Sequence, residues 1–143
     1  MLADRYAQRV HVVWPIHPNP NVLEPVRARL ARAANVTLIA PLDYVSQVQL
    51  MKRAALILTD SGGIQEEAPT FGVPVLVLRD KTERPEGIEA GIARLVGSNP
   101  ARIVAEASAL LDDPAAHAAM SAGVNPYGDG RAATRIVSTL LAR

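Results

Sequence analysis

Five short apolar runs divide this chain at intervals of about 20 residues. They are Val10-His11-Val12-Val13-Trp14, Val36-Thr37-Leu38-Ile39, Ala55-Leu56-Ile57-Leu58-Thr59, Pro74-Val75-Leu76-Val77-Leu78 and Ala93-Arg94-Leu95-Val96. Each is too short for a helix and is stopped by proline, glycine or charge, so each reads as a buried strand. The intervals between them have helical spacing. In residues 21–34, Val22, Val26 and Leu30 share a face that Arg27, Arg29 and Arg32 mostly avoid, with Pro25 placed in the first turn. Residues 44–53 follow Asp43 as N-cap, and residues 64–71 end at Gly72 as C-cap. A short helix over residues 86–90 precedes the last run. Pro100 opens a helix reaching about Leu111, residues 114–122 form another, and residues 129–141 form a terminal one capped by Asp129. Strand alternating with helix predicts parallel pairing with right-handed crossovers. The expected fold class is α/β: a single Rossmann-like, three-layer α/β/α domain spanning residues 1–143. Only a stub of helix precedes the first strand.

The composition supports a packed domain and removes several functions. Hydrophobic residues make up 49% and charged residues 20% of the chain, which favours a folded core. Aromatics are 3%, so that core must be aliphatic, as a covered parallel sheet prefers. A net charge of +1 supplies no basic field, so nucleic acid is not an expected partner. No apolar run approaches the roughly 20 residues that span a bilayer, so no membrane partner is expected. The start Met1-Leu2-Ala3-Asp4-Arg5-Tyr6 is too polar to open a secretory signal. With no cysteine there is neither a disulfide nor a thiolate metal site, which fits a cytoplasmic setting.

Ligands of open α/β sheets bind beyond the carboxyl ends of the strands. That rule collects residues 14–20, 41–43, 60–63 and 79–86 on one rim. The third loop, Asp60-Ser61-Gly62-Gly63, lies between a strand and a helix. Glycines there let backbone amides and the positive end of a helix approach a phosphate. The competing reading is a tight turn capped by Asp60 or Ser61. Glu67 offers a carboxylate for a ribose diol or is a solvated helical glutamate. Arg79-Asp80-Lys81-Thr82-Glu83-Arg84-Pro85-Glu86 offers an arginine for a diphosphate or is a surface loop of paired charges. His17, held between prolines, is a ligand contact or a loop histidine bonded to local backbone. His11 and His117 have no carboxylate or cysteine partner in sequence and receive no role. Asn125-Pro126-Tyr127-Gly128-Asp129-Gly130 reads as a shaped turn. There is no Ser-His-Asp set, no metal-ligand cluster and no G-x-G-x-x-G fingerprint, so neither catalytic residues nor a metal site is assigned.

Taken in order, these segments resemble the non-hydrolysing UDP-N-acetylglucosamine 2-epimerases. The resemblance is carried by His17-Pro18-Asn19-Pro20-Asn21-Val22, Pro41-Leu42-Asp43-Tyr44 and Leu58 through Pro69. It continues through Gly72-Val73-Pro74-Val75, residues 79–86 and residues 125–130. It implies the carboxyl-terminal half of a two-domain fold of the glycosyltransferase-B type. It also implies the ligand, UDP or a UDP-N-acetylhexosamine. Ser61, Gly62 and Gly63 would bind the diphosphate, Glu67 the ribose, and Arg84 would lie near the phosphates. Residues 41–47, including Asp43 and Gln47, would flank the uracil, although a position near Gln47 that is hydrophobic in the family is polar here. His17 would sit at the cleft, where some bacterial members hold a second, activating UDP-sugar.

The family interconverts UDP-N-acetylglucosamine and UDP-N-acetylmannosamine by eliminating UDP and adding it back, with no organic cofactor. Its acids and bases belong to an amino-terminal domain and to a His-Arg-Arg-Glu segment that this sequence does not include. The expectation is therefore a UDP-binding chain that does not epimerise alone. Either it self-associates as a homo-oligomer or its exposed apolar face meets a missing amino-terminal domain. A glycosyltransferase nucleotide-sugar domain, and a truncated or split-enzyme subunit, are the alternatives.

Overall fold

In a computed structural model, which describes residues 2–142, all five apolar runs are strands and every pairing is parallel. The strands are β1 (Val12–Pro15), β2 (Val36–Ile39), β3 (Ile57–Thr59), β4 (Val75–Val77) and β5 (Ala93–Leu95). They alternate with helices α1 (Leu2–Arg5), α2 (Pro20–Leu30), α3 (Tyr44–Arg53), α4 (Gly62–Glu67), α5 (Pro85–Glu89), α6 (Pro100–Asp112), α7 (Pro114–Ser121) and α8 (Ala132–Leu141). The α/β class with parallel strands follows. The strands fall into two sets, β1–β2 and β3–β4–β5, and the contacts divide the chain into two compact units, Met1–Leu50 and Met51–Arg143.

In the first unit, β1 and β2 pair with Val12 opposite Val36 and Trp14 opposite Leu38. Asn35, buried just before β2, donates its side-chain amide to the carbonyls of Ala3 and Val10, at 3.0 and 2.9 Å. That ties the segment entering β1 to the one entering β2 and satisfies a buried polar group. The His11 ring bonds the Thr37 hydroxyl across the pair at 2.8 Å, a structural use. Helix α2 starts one residue before the predicted span. The Asn19 side chain accepts from the Asn21 amide at 3.0 Å, and Pro20 takes the first helical position. Pro25 consequently lies inside the helix rather than in its first turn. The helix continues through it without the bond that proline cannot donate.

The second unit is built on β4. Val75, Leu76 and Val77 have no accessible surface, as the middle strand of a three-stranded parallel set requires when both faces are covered. Val96, Ile92, Ala107, Leu110 and Met120 complete an aliphatic core. At Gly123 there is no room for a side chain. A Cβ there would fall on the Ile92 Cγ2 methyl and 3.0 Å from the Ala90 carbonyl oxygen. Strand β3 is shorter than its apolar run, and the Ala55 carbonyl ahead of it accepts from the His117 ring at 2.7 Å.

The helix predicted over residues 64–71 divides. Helix α4 gives way at Glu67 to a 3-10 turn, Ala68–Phe71, because Pro69 cannot donate to a continuing α ladder. Gly72, with φ of 65°, closes it in the left-handed conformation. Helix α8 begins later than predicted. Asp129 is not its N-cap. With Gly130 at φ 77° between them, Asp129 accepts from the Arg131 amide at 3.1 Å and grips the Arg135 guanidinium at 2.9 and 2.7 Å.

Candidate functional site

Strand β3 delivers its chain directly into α4 through Asp60 and Ser61. Ser61 stands at the N-cap position, but its side chain makes no capping hydrogen bond. Its own amide donates to the Thr59 hydroxyl at 3.1 Å instead. The first turn, Gly62-Gly63-Ile64, is therefore left without the usual side-chain acceptor. Amides there are the groups that an α-helix cannot satisfy internally, and they sit at its positive end.

The predicted partners converge on this turn. A Cβ placed on Gly62 would lie 3.8 Å from Arg84 Nη2, so the guanidinium faces the Gly62 backbone across an open gap. A Cβ placed on Gly63 would lie 3.9 Å from Glu67 Oε1 and 3.9 Å from Ser61 Oγ. One hydroxyl, one carboxylate and one guanidinium thus rim the glycine pair. Five of the eight residues singled out in the sequence, Ser61, Gly62, Gly63, Glu67 and Arg84, come together within the second unit.

Gln65, Thr82 and Tyr127, none assigned a role of its own from the sequence, hold Arg84 there, and Glu66 binds its charge. Glu66 Oε1 accepts from Arg84 Nε, and this hydrogen bond, followed by the attraction between the charges, favours the protonated guanidinium. Gln65 is 1% exposed. Its amide nitrogen donates to the Ser61 carbonyl at 3.2 Å, and its amide oxygen accepts from the Thr82 hydroxyl at 2.6 Å. Thr82 Oγ1 in turn accepts the Arg84 amide at 3.1 Å. From the other side, the Tyr127 hydroxyl donates to the Arg84 carbonyl at 3.3 Å and accepts the Gly87 amide at 3.0 Å. Desolvation raises the Tyr127 pKa above its ordinary value, so the hydroxyl keeps the proton it donates. Gly87 has no alternative here, since a Cβ would stand 2.7 Å from that hydroxyl. The turn over residues 125–130 thus braces the arginine loop. One signal for Gln65 lay in the sequence: it shares a helical face with Ala68 and Pro69, both buried, and a polar residue on such a face must be bonded.

The other three candidates belong to the first unit. His17 is exposed and its Nδ1 accepts the Asn19 amide at 3.2 Å, which is the local backbone contact. Asp43 caps α3 as predicted, its carboxylate accepting the Ser46 amide at 3.0 Å and the Ser46 hydroxyl at 2.6 Å. Those bonds hold its carboxyl below the ordinary value. Gln47 follows one turn later, its amide bonded to the Asp43 carbonyl at 2.9 Å. The loops after β1 and β2 line a recess of about 140 Å³ that includes Ile16, Pro18, Ile39 and Pro41. Among the described residues no group of three or more acidic, histidine or cysteine side chains is placed to hold a metal ion, and no helix is long and apolar enough to cross a membrane.

Comparison with solved structures places this geometry among Rossmann-like α/β proteins. The chain superposes with a TM-score of 0.92 on a UDP-GlcNAc 2-epimerase from Neisseria meningitidis solved with UDP-GlcNAc bound, at 47% identity, covering 99% of this chain and 39% of that one. A UDP-GlcNAc 2-epimerase from Methanocaldococcus jannaschii, solved in complex with UDP-GlcNAc and UDP, gives a TM-score of 0.80 at 34% identity, with 99% of this chain and 38% of that one covered. The family model described as UDP-N-acetylglucosamine 2-epimerase matches residues 1–141, and the chain belongs to that family. A probable UDP-N-acetylglucosamine 2-epimerase of Ralstonia solanacearum is 57% identical over 133 residues, 93% of this chain and 36% of that relative. The UDP-N-acetylglucosamine 2-epimerase of Escherichia coli K12 is 56% identical over 133 residues, 93% of this chain and 35% of that relative. The chain thus spans a little over a third of the length of these relatives.

Proposed function

We propose that residues 1–143 form the UDP-binding domain of a UDP-N-acetylglucosamine 2-epimerase, the part that holds the leaving group. The observation that carries this reading is the uncapped first turn of α4, faced at Gly62 by Arg84 and at Gly63 by Glu67 and Ser61 Oγ. The turn's amides and the guanidinium are donors suited to a diphosphate, and the Glu67 carboxylate is an acceptor suited to a ribose diol. Elimination of UDP builds negative charge on the departing phosphate oxygen. Donors already aimed at that charge stabilise it without reorganising when the bond breaks, and the same donors hold UDP for its return.

UDP added to the purified chain is expected to shift the amide resonances of residues 61–67. No perturbation there at millimolar UDP would sink the binding claim.

The same reading includes an exposed apolar face on α8. Ile136, Val137, Leu140 and Leu141 of α8 are 59%, 53%, 64% and 82% exposed, a larger apolar stripe than an isolated helix leaves in water without cost. We infer that this face associates, either with a second copy or with the family's amino-terminal domain. In ultracentrifugation the chain alone is expected to sediment as a concentration-dependent oligomer. A monodisperse monomer across the concentration range would exclude self-association.

A further inference from the structure

The arginine that faces the glycine turn is held by its backbone as well as by its side chain. Both main-chain groups of Arg84 are engaged: the amide by Thr82 Oγ1 and the carbonyl by the Tyr127 hydroxyl. The Thr82 hydroxyl has a single proton and spends it on Gln65 Oε1, at 2.6 Å. Gln65 spends its own donor on the carbonyl of Ser61, the residue that opens the glycine turn. An unbroken strap therefore runs from Ser61 through Gln65 and Thr82 to Arg84. Arg84 has φ of −127° and ψ of 61°, outside both helix and strand, so no regular hydrogen-bond ladder holds it in place of the strap.

Burial gives the strap its force. A glutamine with 1% of its surface exposed cannot exchange its bonds for water, so breaking either one leaves an unsatisfied polar group. Glu66, by contrast, is partly exposed and pairs with Arg84 Nε, so it restrains the side chain and not the backbone, in the kind of exposed pair that contributes little.

We propose that Gln65 is a positioning residue: acting through Thr82, it fixes the Arg84 backbone against the glycine turn, so that the guanidinium meets a diphosphate in a preset place. The proposal rests on the UDP reading given above. Because it acts through Arg84, its effect on the nucleotide exists only while the arginine is present.

Two variants test it. Gln65→Met keeps the volume and removes both bonds. Thr82→Val removes the bridging hydroxyl at a half-buried position where folding is less exposed to risk. Without ligand, each is expected to speed hydrogen exchange at the Arg84 amide and to broaden its Nε–H resonance, leaving amides of β4 protected. With UDP, each is expected to weaken binding about fivefold, the loss typical of a hydrogen bond whose removal costs preorganisation. In an Arg84→Ala background neither is expected to weaken UDP further, because contacts in one network do not add.

Unchanged Arg84 exchange in Thr82→Val overturns the strap. Equal losses with and without the arginine reduce Gln65 to a general structural role and overturn the positioning. Absence of UDP binding by the unmodified chain would instead defeat the UDP reading, while the ligand-free measurements still decide whether Gln65 holds Arg84.

Discussion

Replacing Gly62 by alanine is expected to leave the chain as stable as before, or more so, while weakening UDP about a hundredfold, near 2.7 kcal/mol. The two effects separate because the glycine is not there for backbone geometry. The glycines with left-handed φ among the described residues are Gly72, Gly91, Gly97, Gly128 and Gly130, and Gly62 is not one of them. A Cβ at Gly62 finds its nearest neighbour, Arg84 Nη2, at 3.8 Å, an ordinary van der Waals contact. In the first turn of a helix the change restricts the unfolded chain and contributes about 0.4–1 kcal/mol of stability. The same methyl occupies the gap between the Gly62 backbone and the guanidinium. A phosphate oxygen needs that gap to reach the amides. Thermal melting and a UDP titration on one preparation check both halves. A lower melting temperature, or UDP affinity within threefold of the original, would mean that the glycine serves the turn and not an anion. Gly87 and Gly123 are the contrast. A Cβ there collides with the Tyr127 hydroxyl or the Ile92 methyl, so damage at those positions would read as folding.

That contrast also shows what the sequence disclosed. The strands were legible as uninterrupted apolar runs, but the burial expected of all five holds throughout only in β4, Val75-Leu76-Val77, while Val13 and Trp14 of β1 and Leu58 of β3 are exposed. Glycines between a strand and a helix marked the turn, and the charged loop after β4 supplied Arg84. Side-chain engagement was not legible. Nothing in spacing distinguishes Glu66, which pairs with Arg84, from Glu67, which faces Gly63, since both lie at the end of one short helix. Tyr127 is 43 positions from the carbonyl it bonds, a contact set by tertiary packing alone. The first-turn placement of Pro25 and the N-cap role of Asp129 failed for different reasons. The Asn19 side chain takes the Asn21 amide and starts α2 one residue early, whereas Gly130 at φ 77° turns the chain between Asp129 and α8.

Arg84→Ala is expected to weaken UDP by about thirty- to a hundredfold, more than one charge-assisted hydrogen bond would suggest. Two terms combine. The diphosphate loses its cation, and Glu66, whose carboxylate now answers Arg84, is left as an unpaired negative charge beside it. Arg84→Lys is expected to recover only part of the loss, because a point charge lacks the planar fork that serves a carboxylate and a phosphate together. Folding should hardly change, since the Arg84 and Glu66 side chains are 37% and 40% exposed and such pairs contribute about 0–1 kcal/mol. The second term makes the effect diagnostic. Adding Glu66→Gln to Arg84→Ala removes the unpaired carboxylate and should restore roughly threefold to tenfold of the affinity, with a shallower dependence on salt than the unmodified chain shows. Calorimetric titration of the two single variants and the double variant at low and high ionic strength reads all of this. Were Arg84→Ala to hold UDP within twofold of the original at low salt, the arginine would exist to neutralise Glu66, and the glycine turn would be left without the cation that makes it a diphosphate site.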